Sequence, residues 1–365
     1  MIAIEESPRQ AAAHPSADTP QVSILMAVHN GEAHLDEAMH SLLAQDFTDF
    51  EFVIVDDASG PVVHAMLEQH AAQDPRIVLV RNDRQLRLAA SLNIGLQRCR
   101  APLTARADAD DIYAPERLSR QVAFLNKHPD VGVVSCGFNR IAQDGTYIAT
   151  INAVTDPDQI AFDRLFINRI LHPGVMFRTA LVREAGGYDE AFWTAQDTEL
   201  WARLAHVTRL ANIREALVDY RVHDQSVSRS RGEEGQALSL SVPIAQIGRY
   251  LGTPLPQDEA RAAIALYRSA PPLAAHEVLL AEKCLARIRR VAVQRETPTV
   301  MAHFERRISD SLFGAASRLK GSDPAAALLV AASAAAWRFN RRWAVRVARR
   351  LLARRLLVRT NARTA

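Results

Sequence analysis

Three carboxylates within four residues, Asp108, Asp110 and Asp111 around Ala109, are the sharpest chemical signal in the chain. Charges that close repel one another unless a cation neutralises them, and hard divalent ions such as Mg²⁺ or Mn²⁺ take oxygen ligands. An ion held there together with diphosphate oxygens would stabilise a departing nucleoside diphosphate. A solvated acidic turn is the plainer alternative. A second carboxylate, Asp197, stands in Gln196-Asp197-Thr198-Glu199-Leu200-Trp201, where Leu200, Trp201 and Leu204 give a helical apolar face. It could cap that helix, or, beside aromatic surroundings that raise its basicity, take a proton from a hydroxyl.

Three further groups could contact a ligand. Ala27-Val28-His29-Asn30-Gly31 and Asp56-Asp57-Ala58-Ser59 each follow an apolar run. In an open α/β sheet, ligands sit at the carboxyl ends of the strands, where loop backbone and helix N-termini face a crevice. A carboxylate there can accept from a base N–H or from ribose hydroxyls; a plain strand-to-helix turn, capped by Asp57 or Ser59, would use the same residues. In Tyr220-Arg221-Val222-His223, Arg221 or His223 could meet diphosphate or metal, although a lone loop histidine is more often structural.

These groups need a frame. Short apolar runs at 22–28, 52–55, 77–80, 103–107 and 131–138 alternate with segments of helical period, the pattern of a mostly parallel sheet covered by helices. Leu35, Met39 and Leu42, then Val63, Leu67 and His70, then Leu88, Leu92 and Leu96 predict crossover helices, and Pro115 predicts the first turn of a fourth. Asp144-Gly145 predicts a hairpin, after which 175–177, 210–213 and 218–222 read as further strands of a sheet turned mixed. Beyond Gly232 the strand signals end, and Leu/Ala-rich helical segments follow, punctuated near Pro254, Pro271, Pro298 and Pro324.

Length and composition bound the rest. A chain of 365 residues exceeds one ordinary core, and 48% apolar with 23% charged residues is a globular balance. Cys99, Cys136 and Cys284 are odd in number and far apart, so neither a disulfide framework nor a thiolate zinc site is expected, and a reducing compartment fits. The first 20 residues carry no secretory-type apolar run and are expected to be a disordered tail. The alanine-rich stretch 324–337 is too short to span a bilayer. From Arg338 to Arg363 arginines interleave with Trp343, Val347, Leu351 and Leu356 without an acidic residue, as in a basic amphipathic helix that lies on anionic lipid or packs with a solvated face. No nucleic-acid motif accompanies that charge.

Taken in order, AVHNGE from Ala27, VIVDDAS from Val53, ADADDIYAPERL from Ala107, HPGVMFR from His172, GGYDE from Gly186, QDTELWARL from Gln196 and YRVH from Tyr220 resemble the family 2 glycosyltransferases. The resemblance implies the GT-A fold, a Rossmann-like, mostly parallel sheet with helices on both faces, here followed by an all-helical C-terminal module. The expected division is a tail at 1–20, a GT-A domain at 21–232 and a helical region at 233–365. It further implies that Ala27, His29 and Asn30 line the nucleotide pocket and that Asp57 binds the base. Asp108 and Asp110 would form the DxD pair for ribose and metal, Mn²⁺ or Mg²⁺, with Asp111 in support and His223 near the metal. Asp197 takes the catalytic-base position, with Gln196 and His172 on the acceptor side. The implied reaction is inverting transfer from a nucleotide diphosphate sugar, UDP-linked by family habit, to a glycan or lipid-linked acceptor in cell-surface polysaccharide synthesis. The implied place is the cytoplasm, peripheral at the inner face of the membrane.

Two departures stand out. Gln196 replaces the Glu that usually precedes the catalytic Asp. The stretch NDRQLRLAASLN from Asn82 lacks the glycine of the family's N-x-GL-x-x-ALN loop, and Arg87 there could reach the donor phosphate. A nucleotidyltransferase would want a glycine-rich, lysine-bearing phosphate loop, which is absent, whereas a catalytically silent nucleotide-sugar binder would share most of these motifs.

Overall fold

The computed structural model describes residues 19–222, 232–270, 273–320 and 323–338. Strands β1 (Val22–Val28), β2 (Phe50–Asp56), β3 (Ile77–Arg81) and β4 (Leu103–Ala107) run parallel in the order β3-β2-β1-β4. β2, FEFVIVD, is buried throughout, as expected of a strand covered on both faces. Helices α1 (Glu32–Leu43), α2 (Pro61–Gln73) and α3 (Leu88–Arg98) make the crossovers. Leu35, Met39, Val63 and Leu67 pack on one face with Ile24 and Phe52, while Leu92 and Leu96 pack on the other with Leu25 and Val53. Gly95 lets α3 lie close: a Cβ there would stand 2.4 Å from Leu25 Cδ1 and 2.9 Å from Val55 Cγ2.

Beyond β4 the sheet becomes mixed. Strand β5 (Ile112–Tyr113) and helix α4 (Arg117–Lys127) precede β6 (Val131–Ile141), which forms the expected hairpin with β7 (Tyr147–Ile151) across Gly145, φ +86°. Pro115 and Glu116 lie in the turn before α4, two residues earlier than a first-turn proline would. α5 (Pro157–Asp163), a single 3₁₀ turn (His172–Gly174), β8 (Met176–Arg178), α6 (Thr179–Glu184), α7 (Gln196–Leu204) and β9 (Arg209–Arg221) follow. β8 is antiparallel to β4 and β6, β9 runs parallel to β6, and β5 closes the far edge against β9.

The two short strands expected at 210–213 and 218–222 are one 13-residue strand. Exposed Arg214 and Glu215 form an irregularity opposite Gly137, where a Cβ would stand 2.6 Å from Arg214 O. Their charge interrupts the apolar alternation, but the ladder resumes with Ala216 opposite Gly137.

Five helices complete the described chain: α8 (Gly232–Leu251), α9 (Gln257–Tyr267), α10 (Ala275–Arg295), α11 (Pro298–Leu319) and α12 (Pro324–Arg338). Their core is not self-contained. Phe162, Leu165 and Phe166, from α5 and the turn after it, are buried among Tyr267, Ile288, Phe304 and Ile308. Cys99, Cys136 and Cys284 are all buried free thiols. No described helix is long and apolar enough to cross a membrane. The expected tail, apart from Thr19 and Pro20, and the basic segment after Arg338 lie outside the described residues, as does His223.

Candidate active site

Strand register assembles the site. Val28 pairs with Asp56, and Met26 with Ala107, so the loops that begin at His29, Asp57 and Asp108 leave the sheet at one edge. Because β8 runs antiparallel to β4, with Met176 opposite Ala105, the turn just before it brings His172 to that edge as well.

The first two loops are knitted together. His29 Nδ1 bonds Asp57 O at 2.8 Å, Asn30 N donates to Ser59 Oγ at 3.0 Å, and Gly60 N donates to Asn30 Oδ1 at 3.0 Å. Asn30 and Ala58 both adopt left-handed backbone, which turns the chain sharply after each strand. Ala27 is half-buried, whereas His29 and Asn30 are exposed on the edge. Neither Asp57 nor Ser59 caps α2: its N-cap is Gly60, and Asp56 Oδ1 takes the Ser59 N–H.

Asp57 faces the other way, into the residues 82–93. Its buried carboxylate accepts from Leu86 N, Arg87 N and Asn82 Nδ2, each at 2.8 Å. A carboxylate offers about four lone-pair directions, so its first task is to hold this loop. Arg87, where the related loops carry glycine, has φ +74° and ψ 169°, a conformation that is essentially glycine's alone. Its side chain is exposed.

The acidic cluster fits a cation. One carboxylate oxygen from each of Asp108, Asp110 and Asp111 falls within 4.8 Å of the others. Asp111 is 1% exposed; one oxygen accepts the Arg221 N–H at 2.8 Å, and Oδ2 has no hydrogen-bond partner among the described residues. Burial first, then the charges of Asp108 and Asp110, holds the Asp111 carboxyl well above the usual carboxylate range. An orphaned, buried oxygen among like charges is what a divalent ion would satisfy. Asp108 is already shared, since fully buried Arg106 forms an ion pair with its Oδ2. Burial works against the Arg106 charge, but Asp108 outweighs it and raises the guanidinium further.

Arg221, expected to reach outward to diphosphate or metal, points inward. Its guanidinium donates to the carbonyls of Asp110 and Gln143, each at 2.8 Å, and pairs with Glu37 at 2.5 Å. It therefore fixes the acidic loop to α1 and to the β6–β7 hairpin.

Asp197 is in the first turn of α7 and is not its cap; Ala195, φ +58°, holds that position without a side-chain bond. The half-buried Asp197 carboxylate accepts from Asn168 Nδ2 at 3.0 Å and from the Thr198 hydroxyl at 3.3 Å. Gln196 beside it is buried. Trp201, one turn on, packs against His172 and Phe177.

His172, expected on the acceptor side, is joined by two residues that sequence reasoning did not single out, Tyr188 and Arg106. His172 Nε2 bonds the Tyr188 hydroxyl at 3.0 Å. Burial, and next the Arg106 charge, keeps the His172 ring far below its usual range and so neutral. Burial raises the Tyr188 hydroxyl; of the charges that act on it, Arg106 pulls it down, and Asp197 and Asp108 push it up. Arg106, Asp108, His172, Tyr188 and Asp197 thus share one electrostatic environment. Arg106 gave one warning in the sequence, as a charge inside an otherwise apolar strand; Tyr188 stood in the GGYDE stretch without a role assigned to it, and Asn168 gave no signal.

A mixed α/β sheet with a carboxylate cluster in the loop after its fourth strand is an architecture shared by several enzyme classes, and comparison with known proteins says which family this chain joins. The model of glycosyl transferase family 2 matches residues 23–185. The chain is 34% identical to EpsE of Bacillus subtilis over 241 residues, 65% of this chain and 84% of that one. It is 30% identical over 242 residues to the amylovoran biosynthesis glycosyltransferase AmsE of Erwinia amylovora, 63% of this chain and 89% of the other. Among solved structures, Staphylococcus aureus TarS 1-349 with UDP-GlcNAc aligns over 87% of this chain and 88% of its own, TM-score 0.53 at 16% identity. The mannosyltransferase PcManGT of Pyrobaculum calidifontis, with GDP-Man and Mn²⁺, covers 93% and 88%, TM-score 0.53 at 19% identity. The chain belongs to glycosyl transferase family 2 and has the GT-A fold, followed by a helical region.

Proposed function

We propose that this chain transfers a sugar, with inversion, from a nucleotide diphosphate sugar to a hydroxyl of a glycan or lipid-linked acceptor in cell-surface polysaccharide synthesis. What supports this reading above all is the strand register, which brings the Asp108–Asp111 loop and the His172 turn to one edge of the sheet, with Trp201 of the Asp197 helix packed on His172. The polysaccharide setting is supported by the similarity to AmsE and to the O-antigen biosynthesis glycosyltransferase WbnJ of Escherichia coli, 27% identical over 214 residues.

In this account Asp197 accepts the proton of the acceptor hydroxyl as its oxygen bonds the anomeric carbon, while the bond from that carbon to the diphosphate oxygen breaks. Asp108, Asp110 and Asp111 would hold a Mn²⁺ or Mg²⁺ ion, to which the family resemblance adds His223 as a further candidate ligand. Such an ion, when bound, stabilises charge on the leaving diphosphate. Arg106 restrains Asp108 within the cluster, and Arg221 fixes the loop that carries it. Backbone of Ala27 and His29, with Asn30, lines the nucleotide, and Asp57 offers its remaining acceptor capacity to the base. Arg87 meets the diphosphate, and His172 and Gln196 border the acceptor. The catalytic unit is assigned to residues 21–232 and the helical one to 233–365, whose basic end from Arg338 to Arg363 would lie on the inner face of the membrane.

Thermal stabilisation by a panel of UDP- and GDP-sugars, with and without Mn²⁺, tests donor and metal together. The expected result is a rise in melting temperature for one donor class that needs the ion. With that donor, ¹H NMR of the product should show an inverted anomeric centre; retained configuration overturns the mechanism.

A further inference from the structure

We infer that Asn168 is a positioning residue for Asp197, and that the helices following the sheet hold it in place. The inference rests on the proposed role of Asp197 as base. Asn168 Oδ1 accepts the N–H of Ile170 at 2.9 Å, which fixes the amide so that Nδ2 faces Asp197 Oδ2 at 3.0 Å, with a longer approach of 3.4 Å to Thr198 Oγ1. Bound this way, Asp197 Oδ2 is held by the Asn168 amide and Oδ1 by the Thr198 hydroxyl, which sets the plane of the carboxylate.

Asn168 belongs to no helix or strand, and its position depends on its neighbours. Those neighbours are gripped by α9 and α11. Phe166 stacks on Tyr267, ring centroids 4.1 Å apart, and Arg268 Nε donates to Phe166 O at 2.6 Å. Fully buried Asp163 accepts from the Tyr267 hydroxyl and from Arg169 Nε at 2.8 Å, with His303 at 3.4 Å. Burial alone would raise the Asp163 carboxyl; the bonds from His303, Arg169 and Tyr267 outweigh it and hold it below the ordinary range. On the sheet side, Asn212 Nδ2 donates to Arg169 O at 3.1 Å. Asn168 thus hangs between two anchored flanks, one of them built by α9 and α11.

An amide N–H given to a carboxylate favours its charged form. Among the described residues, Tyr188 with its His172 partner, Arg106, and Glu199, which is turned to Arg203 at 2.7 Å, are further polar groups of this region. None of them changes in the variants below.

The measurement is the carboxyl ¹³C titration of Asp197 in aspartate-labelled full-length protein, its resonance assigned by its loss in Asp197→Asn. Asn168→Ala should raise the Asp197 pKa by roughly one unit. The isosteric Asn168→Asp keeps the Ile170 bond, adds a like charge, and should raise it further. Tyr267→Phe, remote from Asp197, should shift it in the same direction by less. UDP or GDP release from the stabilising sugar donor should fall in the same order. A wild-type titration in both Asn168 variants, while Asp197→Asn is inactive, overturns the positioning role alone. A shift in the Asn168 variants with none in Tyr267→Phe overturns the part assigned to the helices. If Asp197→Asn turns over normally, the base reading falls and this inference with it.

Discussion

Replacing Arg87 by glycine should make the protein more stable and a poorer binder of nucleoside diphosphate. At φ +74° and ψ 169° an L-residue costs about 1–3 kcal/mol in strain. Glycine removes that cost but adds about 0.4–1 kcal/mol of unfolded-state entropy. The Leu86 and Arg87 N–H bonds to Asp57 come from the backbone and survive the change. The exposed side chain contributes little to the fold, so the net gain is about 1 kcal/mol, or about 2 °C in melting temperature for a chain of this size. If the guanidinium reaches the donor diphosphate, its loss removes a charge-assisted bond of about 1.5–3 kcal/mol, roughly 10- to 100-fold in Kd for UDP or GDP with Mn²⁺. Arg87→Ala separates the two effects, since it keeps the strain and loses the charge: an unchanged melting temperature with the same weakening. Melting curves and titration calorimetry on the three proteins decide it. A lower melting temperature for Arg87→Gly would refute the strain argument, and an unchanged Kd in both variants would refute the diphosphate contact.

Three other outcomes are expected. Asp110→Ala should abolish the Mn²⁺-dependent part of donor binding, seen by calorimetry with and without chelator, and normal donor affinity in chelator would remove the metal from the account. Asp111→Asn should stabilise the metal-free protein at neutral pH, because it removes a buried negative charge from beside Asp108 and Asp110. Since the folded Asp111 carboxyl is raised, the wild type loses stability relative to this variant as pH climbs from the ordinary carboxylate value, about 3.9, through the raised one. Equal pH profiles in denaturant melts would contradict that sign. Deleting residues 338–365 should release the protein from anionic liposomes at low salt in flotation assays, and undiminished flotation would exclude that segment as the membrane contact.

Strand positions were legible because β1, β2 and β4 are apolar runs bounded by turn or charged residues, and the turns after them announced the site edge at His29, Asp57 and Asp108. β5 was not, because Ile112 and Tyr113 are only two residues long and pair with β9, about a hundred positions away. The same distance hid the inward turn of Arg221: nothing local shows that Glu37 and the carbonyls of Asp110 and Gln143 await its guanidinium. The missing loop glycine could be seen in the sequence, but only the backbone shows that Arg87 adopts the glycine conformation regardless, with Asp57 holding it there. Asp197 at the start of α7 could be read as its cap, because nothing local shows that Ala195 takes left-handed backbone before it and holds that position. The helical end was readable as helices, yet not as a clamp on Phe166 and Asp163, since that grip depends on packing between segments a hundred residues apart.

The most direct measurement is Asp197→Asn, with donor affinity and turnover determined on the same preparation. A carboxylate that acts only on the acceptor proton predicts a Kd for the nucleotide sugar within about twofold of wild type and turnover lower by about 10²–10⁴. Parallel loss of both, or turnover that survives, would contradict a base facing the acidic cluster across one cavity.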